Sequence, residues 1–106
     1  MNRLAFIFLV GLSLFSSQSW GANYEKGLFA YNRGDFATAL REWTPLADQG
    51  HATAQFSLGT MYRKGEGVPT DYKEAARWYK LAADQGDATA QYNLGTMHRK
   101  GYGVSK

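Results

Sequence analysis

The sequence predicts an all-α protein, an α-α superhelix (solenoid) of stacked helix hairpins amounting to about two and a half repeats. Three observations predict it. Ala47–Val68 realigns with Ala83–Val104 at a shift of 36 residues, with 17 of 22 positions identical where chance gives about one. The apolar residues inside each copy recur at helical spacing. Glycines follow each apolar stretch, where a left-handed residue stops a helix.

The chain opens with a segment that stands outside this pattern. Arg3 gives a positive start, Leu4 to Phe15 is almost uninterrupted apolar sequence, and Ser16 to Ala22 is small and polar apart from Trp20, the order of a secretory signal. The apolar run of about a dozen residues falls short of the roughly 20 needed to cross a bilayer as a helix, so no stable membrane anchor is expected after cleavage. Cleavage after Gly21 puts Ser19 and Gly21 at the small-residue sites. Residues 1–21 are therefore expected to be a signal peptide and 22–106 the folded domain, periplasmic or secreted. Removing Arg3 lowers the formal charge from +3 to +2, and the remaining Lys and Arg are interleaved with Asp and Glu, a pattern that excludes nucleic acid as the expected partner. The chain has no cysteine, so an exported domain of this size must be held together by packing, without disulfides.

The first unit covers about 22–50. Ala39, Trp43 and Leu46 mark one side of its second helix, and "NRGD" turns between its helices. Glu42 stands where the next unit has Trp78, so this unit reads as an N-terminal cap with a polar outer face. Pro45 removes the N–H that would bond back to Arg41, and a kink is expected there.

The second unit covers about 51–86. Ala54, Leu58, Met61 and Tyr62 fall at i, i+4, i+7 and i+8 in its first helix; Ala75, Trp78, Tyr79 and Ala82 fall at i, i+3, i+4 and i+7 in its second. Asp71 with Glu74 is written like a capping box. His51 stands where the third unit has Asp87 and is the poorer cap, so the first helix of this unit is expected to fray more at its start. Gly59 and Gly95 sit inside helices, at a cost of about 1 kcal/mol relative to alanine, and close approach by bulky Trp78 and Tyr79 is the expected compensation at Gly59.

The third unit, 87–106, repeats Ala90, Leu94 and Met97 over a helix expected at about Ala88–Lys100. It acts either as a closing lid over the helix containing Trp78 or as an uncovered apolar face open to self-association.

The pattern A-x-x-x-L-G-x-M-[YH]-x-x-G-x-G-V, followed by D-[YF]-x-x-A-x-x-W-Y-x-x-A-A-x-x-G, resembles the Sel-1-like repeat, a tetratricopeptide-like helical hairpin. Ala54, Leu58, Gly59, Gly65, Gly67, Val68, Ala75, Trp78, Tyr79, Ala82 and Gly86 carry the resemblance, and Ala90 to Val104 match again. The first unit departs from it, its turn being about five residues shorter than "RKGEGVPTD". The resemblance implies a non-enzymatic module that binds a protein or peptide.

Chemistry finds no foothold in the motifs. "KGEGVP" lacks the third glycine and the preceding strand of a dinucleotide loop. His51 and His98 have no cysteine or carboxylate set at metal-ligand spacing. G-x-S-x-G, S-x-x-K and K-T-G are all absent, so neither the nucleophile elbow nor the penicillin-binding motif set is present. Asp48, Asp84 and Glu25 are dispersed, and no catalytic residue, metal or cofactor is expected. Some secreted relatives bind or cleave β-lactams, which makes that activity an alternative implied by the resemblance, although the cysteines of those relatives are missing here.

With Leu58 and Tyr62 taken as buried, the inner wall of stacked first helices is expected to show Phe56, Thr60, Arg63 and Lys64, with Tyr92, Thr96, Arg99 and Lys100 equivalent in the next unit and Glu25 and Phe29 extending the row. Aromatics and arginine are the types that dominate binding energy, which makes this concave face the candidate partner site in the cell envelope. Phe56 and Tyr92 have a second reading, as packing between neighbouring first helices.

Overall fold

The computed structural model describes residues 21–106; the expected export signal therefore lies outside the described residues, apart from Gly21. The described residues form five helices and no strand: α1 (Tyr24–Asn32), α2 (Phe36–Asp48), α3 (Ala52–Lys64), α4 (Tyr72–Asp84) and α5 (Ala88–Lys100). Each helix packs chiefly on its neighbours in sequence, the arrangement expected of hairpins stacked in a row.

Every helix has a side-chain cap at its start. Asn23, Asp35, Asp71 and Asp87 each accept the backbone N–H three residues on, from Lys26, Thr38, Glu74 and Ala90. His51 does the same, its Nδ1 accepting from the Ala54 N–H at 3.0 Å, and its ring stacks on Tyr24 at 5.4 Å. The expected weakness at the start of α3 is therefore corrected: an imidazole with a free Nδ1 lone pair serves as a carboxylate does. The capping box at Asp71 is only half made. The Glu74 carboxylate takes the Arg77 guanidinium at 2.6 Å, while the Asp71 N–H donates to the Tyr62 carbonyl.

At the other ends, α3 and α5 stop on left-handed Gly65 and Gly101, with φ of 73° and 71°, a conformation that costs glycine nothing. The connection from α1 to α2 has three residues, that from α3 to α4 seven. The longer connection folds back onto the preceding hairpin: a Cβ on Gly67 would lie 2.8 Å from that of Phe36. Helix α2 runs unbroken through Pro45.

Two apolar clusters make up the core. One joins Ala39, Trp43 and Ala47 of α2 with Ala54, Leu58 and Met61 of α3 and Trp78 of α4. The other joins Ala75, Ala76, Tyr79 and Ala82 of α4 with Ala90 and Met97 of α5. Trp78 and Tyr79, adjacent in sequence and about 100° apart around the helix, thus enter different clusters. Only Tyr79 occupies the space at Gly59, where a Cβ would lie 2.7 Å from its ring. Trp78 turns toward the preceding hairpin, with the Arg77 guanidinium 4.4 Å over its ring. Full burial of such a ring contributes about 2 to 3 kcal/mol, which outweighs the cost of an interior glycine.

The first hairpin repeats this contact with other residues. A Cβ on Gly27 would fall within 3 Å of the Trp43 ring, and Trp43 Nε1–H donates to the Tyr24 carbonyl at 3.0 Å. Glu42, at the repeat position of Trp78, is 7% exposed; it accepts the Asn23 N–H at 2.9 Å and pairs with Lys26 at 3.5 Å.

Glutamines tie successive hairpins together. Gln55 Nε2–H donates to the Ala47 carbonyl and Gln91 Nε2–H to the Ala83 carbonyl, both at 3.1 Å. Gln85 Nε2–H reaches both the Gly50 carbonyl and Gln55 Oε1 at 2.9 Å. The Ala47 and Ala83 carbonyls also accept the Gly50 and Gly86 N–H groups at 3.0 and 2.9 Å, so the glutamines add a second bond at helix ends, where carbonyls have lone pairs to spare.

Candidate functional site

The first helices of the hairpins, α1, α3 and α5, present a shared face with two adjoining cavities. One, of about 340 Å³, is bordered by Tyr24, Leu28 and Tyr31 of α1 and by Phe56, Thr60 and Arg63 of α3. The other, of about 250 Å³, is bordered by Arg63 together with Tyr92, Thr96 and Lys100 of α5 and the rings of Tyr72 and Tyr102. Arg63 and Asn93 border both.

Local geometry explains why these side chains share a face. Phe56, Thr60 and Arg63 lie three before, one after and four after Gly59, where the Tyr79 ring and the Ala75 carbonyl of α4 pack against α3. Behind them stands the Tyr79 hydroxyl, 2.9 Å from Thr60 Oγ1 and accepting Arg63 Nε–H at 3.1 Å. With its lone pair taken by the guanidinium, the phenol has its proton free for Thr60. Arg63 is thus held by the core and half-buried. Phe56 is also half-buried, its ring 5.7 Å from that of Tyr79, so it both packs on the core and borders a cavity. Tyr92, by contrast, is 70% exposed.

On α1 the row differs from the expected one. Glu25 and Phe29 are exposed and border neither cavity; Phe29 instead carries the Arg33 guanidinium 5.3 Å over its ring. The residues in register are Tyr24, Leu28 and Tyr31, which stand to Gly27 as Phe56, Thr60 and Arg63 stand to Gly59. A slip of one residue turns a helical position by about 100°. The signal that finds the right row is Gly27 paired with Trp43 as the counterpart of Gly59 with Tyr79. On α5, Thr96 and Lys100 border the second cavity, whereas Arg99 is exposed and donates to Thr96 Oγ1 at 2.8 Å.

The electrostatics of this face are one-sided. Arg63, Lys64 and Lys100 are among the residues bordering the cavities and no carboxylate is. The nearby Glu66 carboxylate accepts the Tyr31 hydroxyl at 2.6 Å. Burial and that hydrogen bond push the Tyr31 phenol up to about 12, so Tyr31 is a neutral donor at any physiological pH.

Among the described residues, no three His, Cys, Asp or Glu side chains are grouped to hold a metal ion, and no helix is long and apolar enough to cross a membrane. His51 is occupied as a cap, and His98 Nδ1 lies 2.9 Å from the Ser105 carbonyl oxygen. Asp84 is exposed and paired with Lys80 at 3.1 Å.

Comparison with known proteins bears on this architecture directly. Residues 52–87 and 88–106 match the Sel1 repeat family model. Among solved structures, a Sel1 repeat protein from Oxalobacter formigenes is 37% identical, with a TM-score of 0.75 over 79% of this chain and 35% of that one. The structure of c5321, a protective antigen present in uropathogenic Escherichia coli strains and displaying an SLR fold, is 36% identical, with a TM-score of 0.72 over 88% of this chain and 22% of that one. The chain thus spans about a third and about a fifth of these two relatives. No curated protein matches it. Sel1 repeats generally mediate protein–protein interaction and typically act as non-catalytic scaffolds. The repeat motif, the helical hairpin closed by Gly59 against Tyr79, and the family match agree: this chain belongs to the Sel1 repeat family.

Proposed function

We propose that this protein is a non-enzymatic interaction module of the cell envelope that receives an acidic, aromatic-containing peptide segment of a partner protein along the face of α1, α3 and α5. The observation that carries this reading is the pair of adjoining cavities bordered by aromatic rings and by Arg63, Lys64 and Lys100, with no bordering carboxylate. Aromatic and guanidinium groups dominate binding energy where they occur together, and an unbalanced positive lining favours an acidic partner and speeds its approach. The envelope assignment is supported by the signal-like pattern of residues 1–21.

The test uses exposed lysines, because Arg63 is tied to the Tyr79 hydroxyl and its loss would disturb the core. Fluorescent ten-residue peptides rich in Asp, Glu and Tyr, and matched basic ones, are titrated into the purified protein. Acidic peptides bind, more weakly as salt rises, and Lys64→Glu with Lys100→Glu reduces the affinity at least about tenfold, corresponding to about 1.4 kcal/mol, with helical content unchanged. Equal binding of acidic and basic peptides, or of the variant and the parent, rejects the reading.

A further inference from the structure

We propose that Glu42 is the receptor for the α-ammonium group created at Ala22 when the leader is removed, so that processing completes the charge pairing of the first hairpin. The inference rests on the export reading of residues 1–21, in which Ser19 and Gly21 take the small-residue sites and cleavage falls after Gly21.

Glu42 is the anomaly of the first hairpin. It stands where the second hairpin buries the Trp78 ring, and it is itself 7% exposed. A carboxylate withdrawn from water needs both a hydrogen bond and a cation close by. The hydrogen bond is made, Oε1 accepting the Asn23 N–H at 2.9 Å. The cation is a poor one: among the described residues Glu42 has one ion pair, with Lys26 at 3.5 Å, whose side chain is 64% exposed and therefore screened by solvent. Arg41 is exposed and donates to Thr38 Oγ1 at 3.0 Å.

The backbone just before Asn23 can bring the further charge. Gly21, half-buried Ala22, Arg41, Glu42 and Pro45 border one cavity of about 250 Å³. The Ala22 nitrogen is one residue from the nitrogen that Glu42 already holds, and standard backbone dimensions keep it within about 7 Å of Oε1. In the uncleaved chain it is a neutral amide. A leader-removing peptidase adds one water across the Gly21–Ala22 bond: the C–N bond breaks, the water oxygen stays on Gly21 as a carboxylate, and both water protons go to the Ala22 nitrogen, which becomes an ammonium. An α-amino group is largely protonated at neutral pH. The cavity leaves it room to turn toward Glu42, and partial burial strengthens the attraction over that in water.

The test exports the full chain and compares the processed protein with a variant carrying two serines inserted between Gly21 and Ala22, which moves the ammonium two residues away. Both are made with Glu42 and with Glu42→Gln, which keeps an acceptor for the Asn23 N–H. Intact mass fixes where each chain starts. The parent starts at Ala22, and the insertion lowers its melting temperature by at least about 4 °C. In Glu42→Gln the insertion shifts it by less than about 1 °C, because the two changes remove the same interaction. A parent that keeps its leader overturns the export reading and the proposal with it. A parent that starts at Ala22 but melts with its insertion variant, a comparison needing no change at Glu42, overturns the proposal and leaves the export reading intact. An equal shift in the Glu42→Gln pair does the same.

Discussion

Helices α3 and α5 are nearly the same sequence, thirteen residues each with the same left-handed glycine stop, and they meet different neighbours. Helix α3 is enclosed by α2 and α4; Leu58 is 1% exposed and Gly59 lies under a tyrosine. Helix α5 packs chiefly on α4, leaving Leu94 half-buried and Gly95 open. The difference teaches that a repeat motif specifies the helix and its caps locally, while the energetic weight of each residue is set by what stacks on it.

The comparison breaks or sharpens through matched substitutions. The largest gap is expected at the leucines: Leu58→Ala costs about 3 kcal/mol and Leu94→Ala about 1 kcal/mol, read from urea denaturation of the two variants. Equal losses would mean that α5 is covered in solution. The glycines come next and differ in sign. Gly59→Ala costs about 2 kcal/mol, because the Tyr79 ring must move, whereas Gly95→Ala gains about 1 kcal/mol from helix propensity alone; thermal melts of both variants check this. The caps should not differ. His51→Ala and Asp87→Ala each cost about 1 kcal/mol, and a negligible loss at His51 would mean that its Nδ1 does not hold the Ala54 N–H in solution.

The smallest effect is a pH dependence. The Tyr31 phenol is raised from an ordinary value near 10 to about 12 by burial and by Glu66. A raised folded value favours the protonated form, so this contribution is fully present below pH 10 and is lost as pH climbs from 10 to 12. Tyr31→Phe removes that part of the alkaline decline, measured as the difference between the two proteins' stability curves over this interval. Identical slopes would mean that the Tyr31 phenol is not raised in the folded protein.

Much of the fold was legible because its signals are local. The span of α5, the glycine stops and the apolar faces follow from spacing within a dozen residues. What stayed hidden depended on long-range partners. Either Trp78 or Tyr79 suited the gap at Gly59 by size, and only the rotation of α4 chooses the tyrosine. The candidate row on α3 is in register because Gly59 stands inside the repeated motif and marks the contact point; that on α1, Glu25 and Phe29, is one residue out of register because Gly27 stands in the unit that departs from the motif. The glutamine ties were hidden for another reason: Gln55 and Gln91 bond to backbone carbonyls, which leave no trace in side-chain identity. Their identity across the two copies was the available clue.

The two neighbouring rings of α4, buried in different clusters, make this helix a rivet between the halves of the molecule. Pulled from its ends, such a chain is expected to give way in one rupture and not as a staircase of separate hairpins, since freeing either ring strips the seam that the other depends on.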